Sequence, residues 1–125
     1  MEDTAKVVRA FFDAWTSKDF PAAWPLIHDE LVIESPLGNY QGSASWKPAL
    51  TDLAGQVSAV TLLALMSERD EAMILYDLKI EGLDGLLRVF EYSTVVEGKI
   101  MHTRQVFDTV EVRRIGLDNP ALHVA

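Results

Sequence analysis

The chain has 125 residues, no cysteine and a formal net charge of −8. The length predicts one domain over residues 1–125, and the missing cysteines exclude disulfides, thiolate metal sites and a thiol nucleophile. The acidic charge argues against nucleic-acid and anionic-membrane partners, because phosphate binding needs a basic surface. No apolar run approaches the roughly 20 residues of a membrane span, and the acidic N-terminus is unlike a signal peptide. A cytoplasmic protein is expected.

The first part of the chain predicts two helices and a strand. Apolar residues follow helical spacing over Thr4–Ser17. Asp19 is a cap for a second helix that runs to Ile27, and Pro25 is expected to kink or shorten it because proline lacks an amide proton. Leu31–Ser35 is predicted to be the first strand.

A turn and a third helix follow. Residues 37–40 are turn-like, with glycine and asparagine between apolar residues. Ser45 as the helix cap would place Pro48 in the first turn, where proline is tolerated. Gly55 is expected to end this helix.

From Val57 onward the apolar pattern changes to that of strands. The tail from residue 112 has little pattern and is expected to be flexible or folded over a sheet edge. Helices followed by an antiparallel meander predict an α+β fold, with three N-terminal helices packed on one face of a curved antiparallel sheet. The predicted strands of the meander are Val57–Met66, Met73–Glu81, Leu86–Val96 and Lys99–Val110.

The last hairpin turns at Glu97-Gly98, and its loop length decides which side chains share a face. A three-residue loop with Gly98 in the left-handed conformation would place Val95 opposite Lys99 and Glu91 opposite Thr103. A two-residue turn would shift the register by one and swap the faces of one arm. The three-residue loop is the adopted prediction.

Two carboxylates are the predicted catalytic residues. If Leu83–Gly85 forms a three-residue loop, Asp77 lies directly opposite Glu91 on the same face. Two carboxylates so close in a partly dry pocket would repel, one pKa would rise, and the site would hold an acid beside a base. The alternative is that Asp77 points to solvent, because alternation gives its strand a more apolar face of Ile74, Tyr76, Leu78 and Ile80.

Other residues are candidates for binding a small apolar ligand. Gln105 would share the inner face with Glu91 and orient a carbonyl group or a water molecule, while Thr103 and Ser35 would be polar contacts. Aromatic side chains would provide the apolar walls, although each of them also suits an ordinary core: Phe11, Trp15, Tyr40, Trp46 and Phe107. The three histidines lack metal-ligand spacing, so neither a metal nor a cofactor is expected.

The opposite face of the last hairpin has a different composition. Arg88, Phe90 and Tyr92 alternate on its first arm, and His102 and Arg104 on its second. A mixed aromatic and basic surface is typical of protein interfaces. It predicts a homodimer contact through the outer sheet face.

Several local motifs together resemble a known family. They are Val8–Trp15 followed by Lys18-Asp19, then Ile33–Gly38, Gly42, and finally Glu97–Ile100 with Arg104 and Val106–Asp108. This set resembles the SnoaL-like group of the nuclear-transport-factor-2-like (NTF2-like) superfamily, which includes ketosteroid isomerase, limonene-epoxide hydrolase and polyketide cyclases. The resemblance implies a cone-shaped, cystatin-like fold with a small-molecule pocket between helices and sheet, and often a homodimer.

The catalytic residues of these relatives are matched only in part. Ser35 stands where ketosteroid isomerases have their carboxylate base and Phe11 where they have a tyrosine, while Glu91 lies one residue from the position of their second oxyanion donor. Asp77 matches an aspartate of limonene-epoxide hydrolases. The other two members of that set are replaced by Leu75 and Gln105. Neither family mechanism is therefore expected unchanged.

Two functions are consistent with these features. One is a cofactor-free isomerase, cyclase or hydrolase in which Asp77 or Glu91 transfers a proton to or from an apolar carbonyl- or epoxide-bearing compound. The other is a non-catalytic ligand-binding or dimerisation module on the same scaffold.

Overall fold

The computed structural model describes residues 2–116, and these residues form four α-helices and six strands. The helices are α1 (Glu2–Thr16), α2 (Phe20–Ala23), α3 (Ser43–Gln56) and α4 (Val110–Arg114), with a 3-10 turn at Trp24–Leu26 after α2. The strands are β1 (Ile27–Ser35), β2 (Gly38–Gln41), β3 (Val57–Glu68), β4 (Glu71–Ile80), β5 (Leu87–Val96) and β6 (Lys99–Val106).

The six strands form one sheet in the order β2-β1-β6-β5-β4-β3. All neighbours are antiparallel except β1 and β6, which run parallel. Helices α1 and α3 pack on one face of the sheet, here called the inner face, and the other is the outer face. The predicted α+β fold is confirmed.

The core lies between the inner face and the helices. Helix α1 buries one stripe at helical spacing, Val8, Phe11, Phe12 and Trp15. The sheet contributes alternate residues of β4 and β1, because successive side chains of a strand point to opposite faces. Leu31, Ile33, Leu78 and Ile80 are all fully buried there.

Local structure in the first half differs from the predicted boundaries. Pro25 ends the helical segment as a 3-10 turn, so Ile27 begins β1 instead of continuing a helix. Residues 37–40 hold most of the edge strand β2, which pairs with β1. Helix α3 begins after Gly42, two residues before the predicted cap Ser45, and therefore encloses Pro48.

The register of the last hairpin differs from the prediction, yet the predicted faces are kept. Glu97 and Gly98 both have positive φ, 53° and 78°, which suits a two-residue turn, and Val96 pairs with Lys99. The pairing shifts between Thr94 and Val95, because β6 carries one extra residue there. This bulge restores the alternation, so Glu91 lies opposite Gln105 rather than Thr103.

The predicted register between β4 and β5 is wrong. The connection is the six-residue segment 81–86 rather than a three-residue loop, and it places Asp77 opposite Arg88 and Ile74 opposite Glu91. The difference from the prediction is an odd number of residues, so the face of Asp77 changes. This register is favoured because it buries the alternate apolar residues of β4, which are Ile74, Tyr76, Leu78 and Ile80.

The end of the described chain includes a helix that the sequence pattern did not predict. Helix α4 lies within the segment predicted as strand and tail, and Val112 at its centre is 2% exposed. Arg114 donates a hydrogen bond to the carbonyl oxygen of Gly82, at 2.9 Å, which ties α4 to the β4–β5 connection. Residues 117–125, the greater part of the predicted flexible tail, lie outside the described residues.

Candidate functional site

A small apolar cavity opens between α3 and the inner face of the sheet. It has a volume of about 110 Å³. Most of its wall is aliphatic, including Leu50, Leu53, Leu78, Leu87, Val89 and Val112. An apolar cavity of about 150 Å³ accommodates benzene, so we expect a ligand of about one six-membered ring.

Five of the lining residues carry a polar group in their side chains: Ser35, Tyr40, Trp46, Tyr76 and Gln105. The Ser35 hydroxyl accepts a hydrogen bond from the backbone N–H of Leu37 at 3.0 Å, which leaves its own O–H to donate. Among the described residues, no charged side chain lines the cavity. This composition suits an uncharged ligand with an oxygen function, since an ion would lie there without a counter-charge.

Tyr76 and Gln105 are joined through Glu91. The Tyr76 hydroxyl donates to Glu91 Oε2 at 2.9 Å, and Gln105 Nε2 donates to the same oxygen at 2.8 Å. The three side chains come from adjacent strands, with Glu91 directly opposite Gln105. A carboxylate that accepts two convergent hydrogen bonds is held in one orientation.

The electrostatics of this trio differ from those of solvated groups. Burial, the largest cause, raises the pKa of Glu91, while the hydrogen bonds from Tyr76 and Gln105 oppose the rise. The pKa of Tyr76 is raised well above its ordinary value, chiefly by burial and further by the neighbouring Glu91. Tyr76 is therefore a neutral hydroxyl at physiological pH, and Glu91 is the acid of the trio, because the amide of Gln105 does not titrate.

Glu91 does not itself line the apolar cavity. It borders a second, much smaller cavity of about 10 Å³ beneath α1, together with Ser93 and Thr103. The Ser93 and Thr103 hydroxyls lie 2.8 Å apart and hydrogen-bond to each other. Tyr76 and Gln105, which line the ligand cavity, connect Glu91 to it by hydrogen bonds.

The predicted pairing of Asp77 with Glu91 is not found. Asp77 lies on the outer face, where Arg88 Nε and Nη2 bind its two oxygens at 2.8 and 2.9 Å. These hydrogen bonds are the main reason that the pKa of Asp77 is lowered. A carboxylate engaged in this way is a poor base, so Asp77 is not a catalytic candidate.

The other predicted ligand-binding residues divide between the two cavities. Ser35, Tyr40, Trp46, Gln105 and Phe107 line the larger one. Phe11, Trp15 and Thr103 lie deeper and border the small cavity, where Trp46 also contributes. The sequence reasoning missed Tyr76 as a functional residue, although a hydroxyl on an otherwise apolar strand face needs a hydrogen-bond partner and could have indicated it.

The outer face carries a second polar cluster. Glu34 of β1 lies between His102, whose Nε2 contacts Glu34 Oε2, and Arg104, whose Nε is 3.3 Å from the same oxygen. Arg104 also lies over the ring of Tyr92, 5.5 Å from its centre. The helices cover the opposite face of the sheet, so His102 has no route to the ligand cavity.

Among residues 2–116, no three His, Asp or Glu side chains are grouped closely enough to hold a metal ion. No helix in this described range is long and apolar enough to cross a membrane.

Comparison with solved structures identifies the architecture. A protein from Kribbella flavida DSM 17836 superposes with a TM-score of 0.83 at 21% identity, over 93% of each chain. An NTF2-like protein of unknown function from Cytophaga hutchinsonii ATCC 33406 superposes with a TM-score of 0.78 at 18% identity, over 88% of this chain and 94% of that one. The chain has the NTF2-like fold.

The predicted fold is therefore confirmed. An LEH-like epoxide hydrolase from M. tuberculosis has the same architecture, with a TM-score of 0.75 at 21% identity over 91% of this chain and 89% of that one. At these identities the likeness concerns the fold alone. No protein-family model and no curated protein matches the sequence.

Proposed function

We propose that this NTF2-like protein binds a small, uncharged, mostly apolar molecule and catalyses a cofactor-free acid-base reaction on it, of the isomerase, cyclase or hydrolase type. One observation carries the proposal. Tyr76 and Gln105 line the ligand cavity, and both hydrogen-bond to the same oxygen of a half-buried carboxyl, Glu91. A titratable group that is hydrogen-bonded to two wall residues of an apolar cavity is suited to proton transfer.

Proton transfer would pass through Tyr76. A proton leaving the ligand moves to the Tyr76 oxygen while the Tyr76 hydroxyl proton moves to Glu91 Oε2, so Tyr76 stays neutral throughout. The reverse transfer returns the proton to another atom of the ligand. Because burial raises the pKa of Glu91, its two protonation states are closer in energy at neutral pH than those of an exposed glutamate.

The similarity to an epoxide hydrolase favours ligands with a reactive oxygen, such as a strained ether or a carbonyl group. It does so weakly, because one fold hosts many functions. The cavity residues add a stronger restriction. Within residues 2–116, Ser35 and Gln105 each have a donor proton that is not used in a hydrogen bond, and the aliphatic wall around them suits a carbon ring.

Two probes of the right size test the proposal. Cyclohexene oxide reports hydrolysis by formation of the diol, and cyclohexanone in D2O reports proton abstraction by deuterium uptake next to the carbonyl. We expect turnover of at least one by the wild type and a loss of about 10²-fold or more in Glu91→Gln, the range of general acid-base contributions. Glu81→Gln, an exposed glutamate after β4, is the matched control. Equal turnover by all three proteins would refute the role of Glu91.

A second candidate function is ligand binding without turnover. It is favoured by the position of Glu91, which borders the small cavity rather than the ligand cavity. Binding of cyclohexanone, followed by NMR shifts of Tyr76 and Gln105, without chemical change in either probe would support this candidate.

We also propose that the protein forms a homodimer through the outer face. Large apolar side chains are exposed on the outer face of strands β3 to β6: Met66 at 67%, Met73 at 42%, Phe90 at 36% and Val106 at 63%. Methionine, aromatic and arginine side chains are enriched in interfaces, and Arg88 and Arg104 flank this surface.

Sedimentation tests the dimer. We expect the wild type to sediment as a dimer at micromolar concentration and Val106→Arg as a monomer. Leu86→Arg, at an exposed leucine in the β4–β5 connection, is the control and should remain dimeric. A monomeric wild type at this concentration would refute the proposed dimer.

A further inference from the structure

The small cavity beneath α1 is lined by hydrogen-bonding groups whose capacity is not used up. Ser93 and Thr103 are 3% and 5% exposed, and their hydroxyls share one hydrogen bond of 2.8 Å. Two hydroxyls carry two protons, and this bond uses one of them. The second proton has no acceptor among the described residues.

Glu91, in turn, has a carboxylate oxygen whose capacity to accept hydrogen bonds is not used. Both of its hydrogen bonds, from Tyr76 and Gln105, go to Oε2, so Oε1 accepts none from the described residues. Every fully enclosed polar atom of the described side chains does have a partner. Oε1 must therefore retain open space beside it, which agrees with the place of Glu91 in the wall of the small cavity.

The volume of this cavity is close to the space that one buried water molecule needs. It is about 10 Å³, close to the roughly 10–15 Å³ that a buried water needs, and such a water forms about three hydrogen bonds. A water here would accept the spare hydroxyl proton of the Ser93 and Thr103 pair. It would donate one proton to Glu91 Oε1 and the other to a hydroxyl oxygen of the pair.

We propose that the small cavity is a binding site for one ordered water molecule, which links the Ser93 and Thr103 hydroxyls to Glu91 Oε1. Ser93 and Thr103 are then positioning residues that act on Glu91 from the side opposite to Tyr76 and Gln105. With the water in place, the ionised carboxyl accepts three hydrogen bonds rather than two. The water site stands on the cavity alone, whereas its effect on turnover rests on the proposed function.

The surroundings leave few other groups to disturb Glu91. From α1 it faces Val8, Phe11, Phe12 and Trp15, and from β1 and α3 it faces Ile27, Leu31 and Trp46. None of these side chains titrates. The ionisable side chain in contact with it is Tyr76. A change in the titration of Glu91 after substitution of Thr103 therefore reports on the hydroxyls and the water.

Two measurements on the whole protein test the site. A high-resolution crystal structure is expected to show a water within hydrogen-bond distance of Glu91 Oε1 and the Thr103 hydroxyl. In carboxyl NMR titrations, Thr103→Val is expected to raise the pKa of Glu91 above that of the wild type, because the ionised form loses a donor. Thr94→Val, at a half-buried threonine on the outer face, is the control and should leave it unchanged.

The outcomes separate cleanly. An empty cavity in the crystal structure, or an unchanged Glu91 pKa in both Thr103→Val and the alternative variant Ser93→Ala, would overturn the proposal. A raised pKa without a water would overturn it too, since the hydroxyls would then contact Glu91 directly. If the water is present and Thr103→Val shifts the titration while neither cyclohexene oxide nor cyclohexanone is bound or turned over, the water site holds and the proposed function fails.

Discussion

The raised pKa of Glu91 predicts how protein stability depends on pH, and this prediction can be tested without a ligand. An unperturbed glutamate has a pKa near 4.5, and burial raises the pKa of Glu91 in the folded protein. Between these two values the folded state holds a proton that the unfolded chain has lost, so the free energy of unfolding falls as pH rises. One proton gives a slope of at most about 1.4 kcal/mol per pH unit.

The Glu91→Gln variant removes this proton equilibrium and keeps an oxygen that accepts hydrogen bonds. We expect the stability of the variant relative to wild type to rise with pH from about 4.5 and to level off above the folded pKa of Glu91. Urea unfolding followed by tryptophan fluorescence at a series of pH values measures the difference, in which the titration of the other carboxyls cancels. Glu81→Gln is the control. A difference for Glu91→Gln that stays flat or falls with pH would refute the burial argument.

Three further predictions test the fold and the assignment of faces, and two of them include a control substitution. Asp77→Asn should leave turnover and probe binding unchanged, because Asp77 lies on the outer face; a loss as large as that of Glu91→Gln would contradict the register. Gly98→Ala should cost about 1–2 kcal/mol in thermal unfolding, because its φ is 78°, whereas Gly55→Ala within α3 should stabilise by roughly 0.5–1 kcal/mol; equal effects would argue against the two-residue turn. Leu31→Ala should cost about 2–5 kcal/mol, compared with under about 0.5 kcal/mol for exposed Leu86→Ala, and similar losses for both would contradict the assigned core.

Sequence patterns predicted the fold where burial is periodic. The stripe of α1 and the alternation along β4 and β5 follow from which side chains leave water, and both appear as expected. The predicted ends of helices and strands were wrong where a local effect competes with the periodic pattern. Pro25 ended a helix early and allowed β1 to begin at Ile27, and the five-residue helix α4 is too short to produce a periodic signal.

The site was harder to predict because its members meet through the sheet rather than along the chain. The apolar alternation of β4 indicated that Asp77 faces outward, and the family position indicated the pocket; the alternation was correct. Tyr76 lay within the same apolar set and drew no functional interpretation. Its role follows from a hydrogen bond to Glu91, fifteen residues away, which requires the register of β4 and β5 to be known.

The turn and the bulge of the last hairpin bring the polar trio together, although both lie away from it. The two-residue turn at Glu97-Gly98 alone would place the side chains of β6 on the wrong face relative to β5, with Gln105 turned away from Glu91. The extra residue of β6, Met101, shifts the pairing by one and returns Gln105 to the inner face. Since a half-buried carboxyl is costly without its hydrogen bonds, Glu91 in turn favours the register that the bulge creates. The turn, the bulge and the polar trio therefore specify one register jointly.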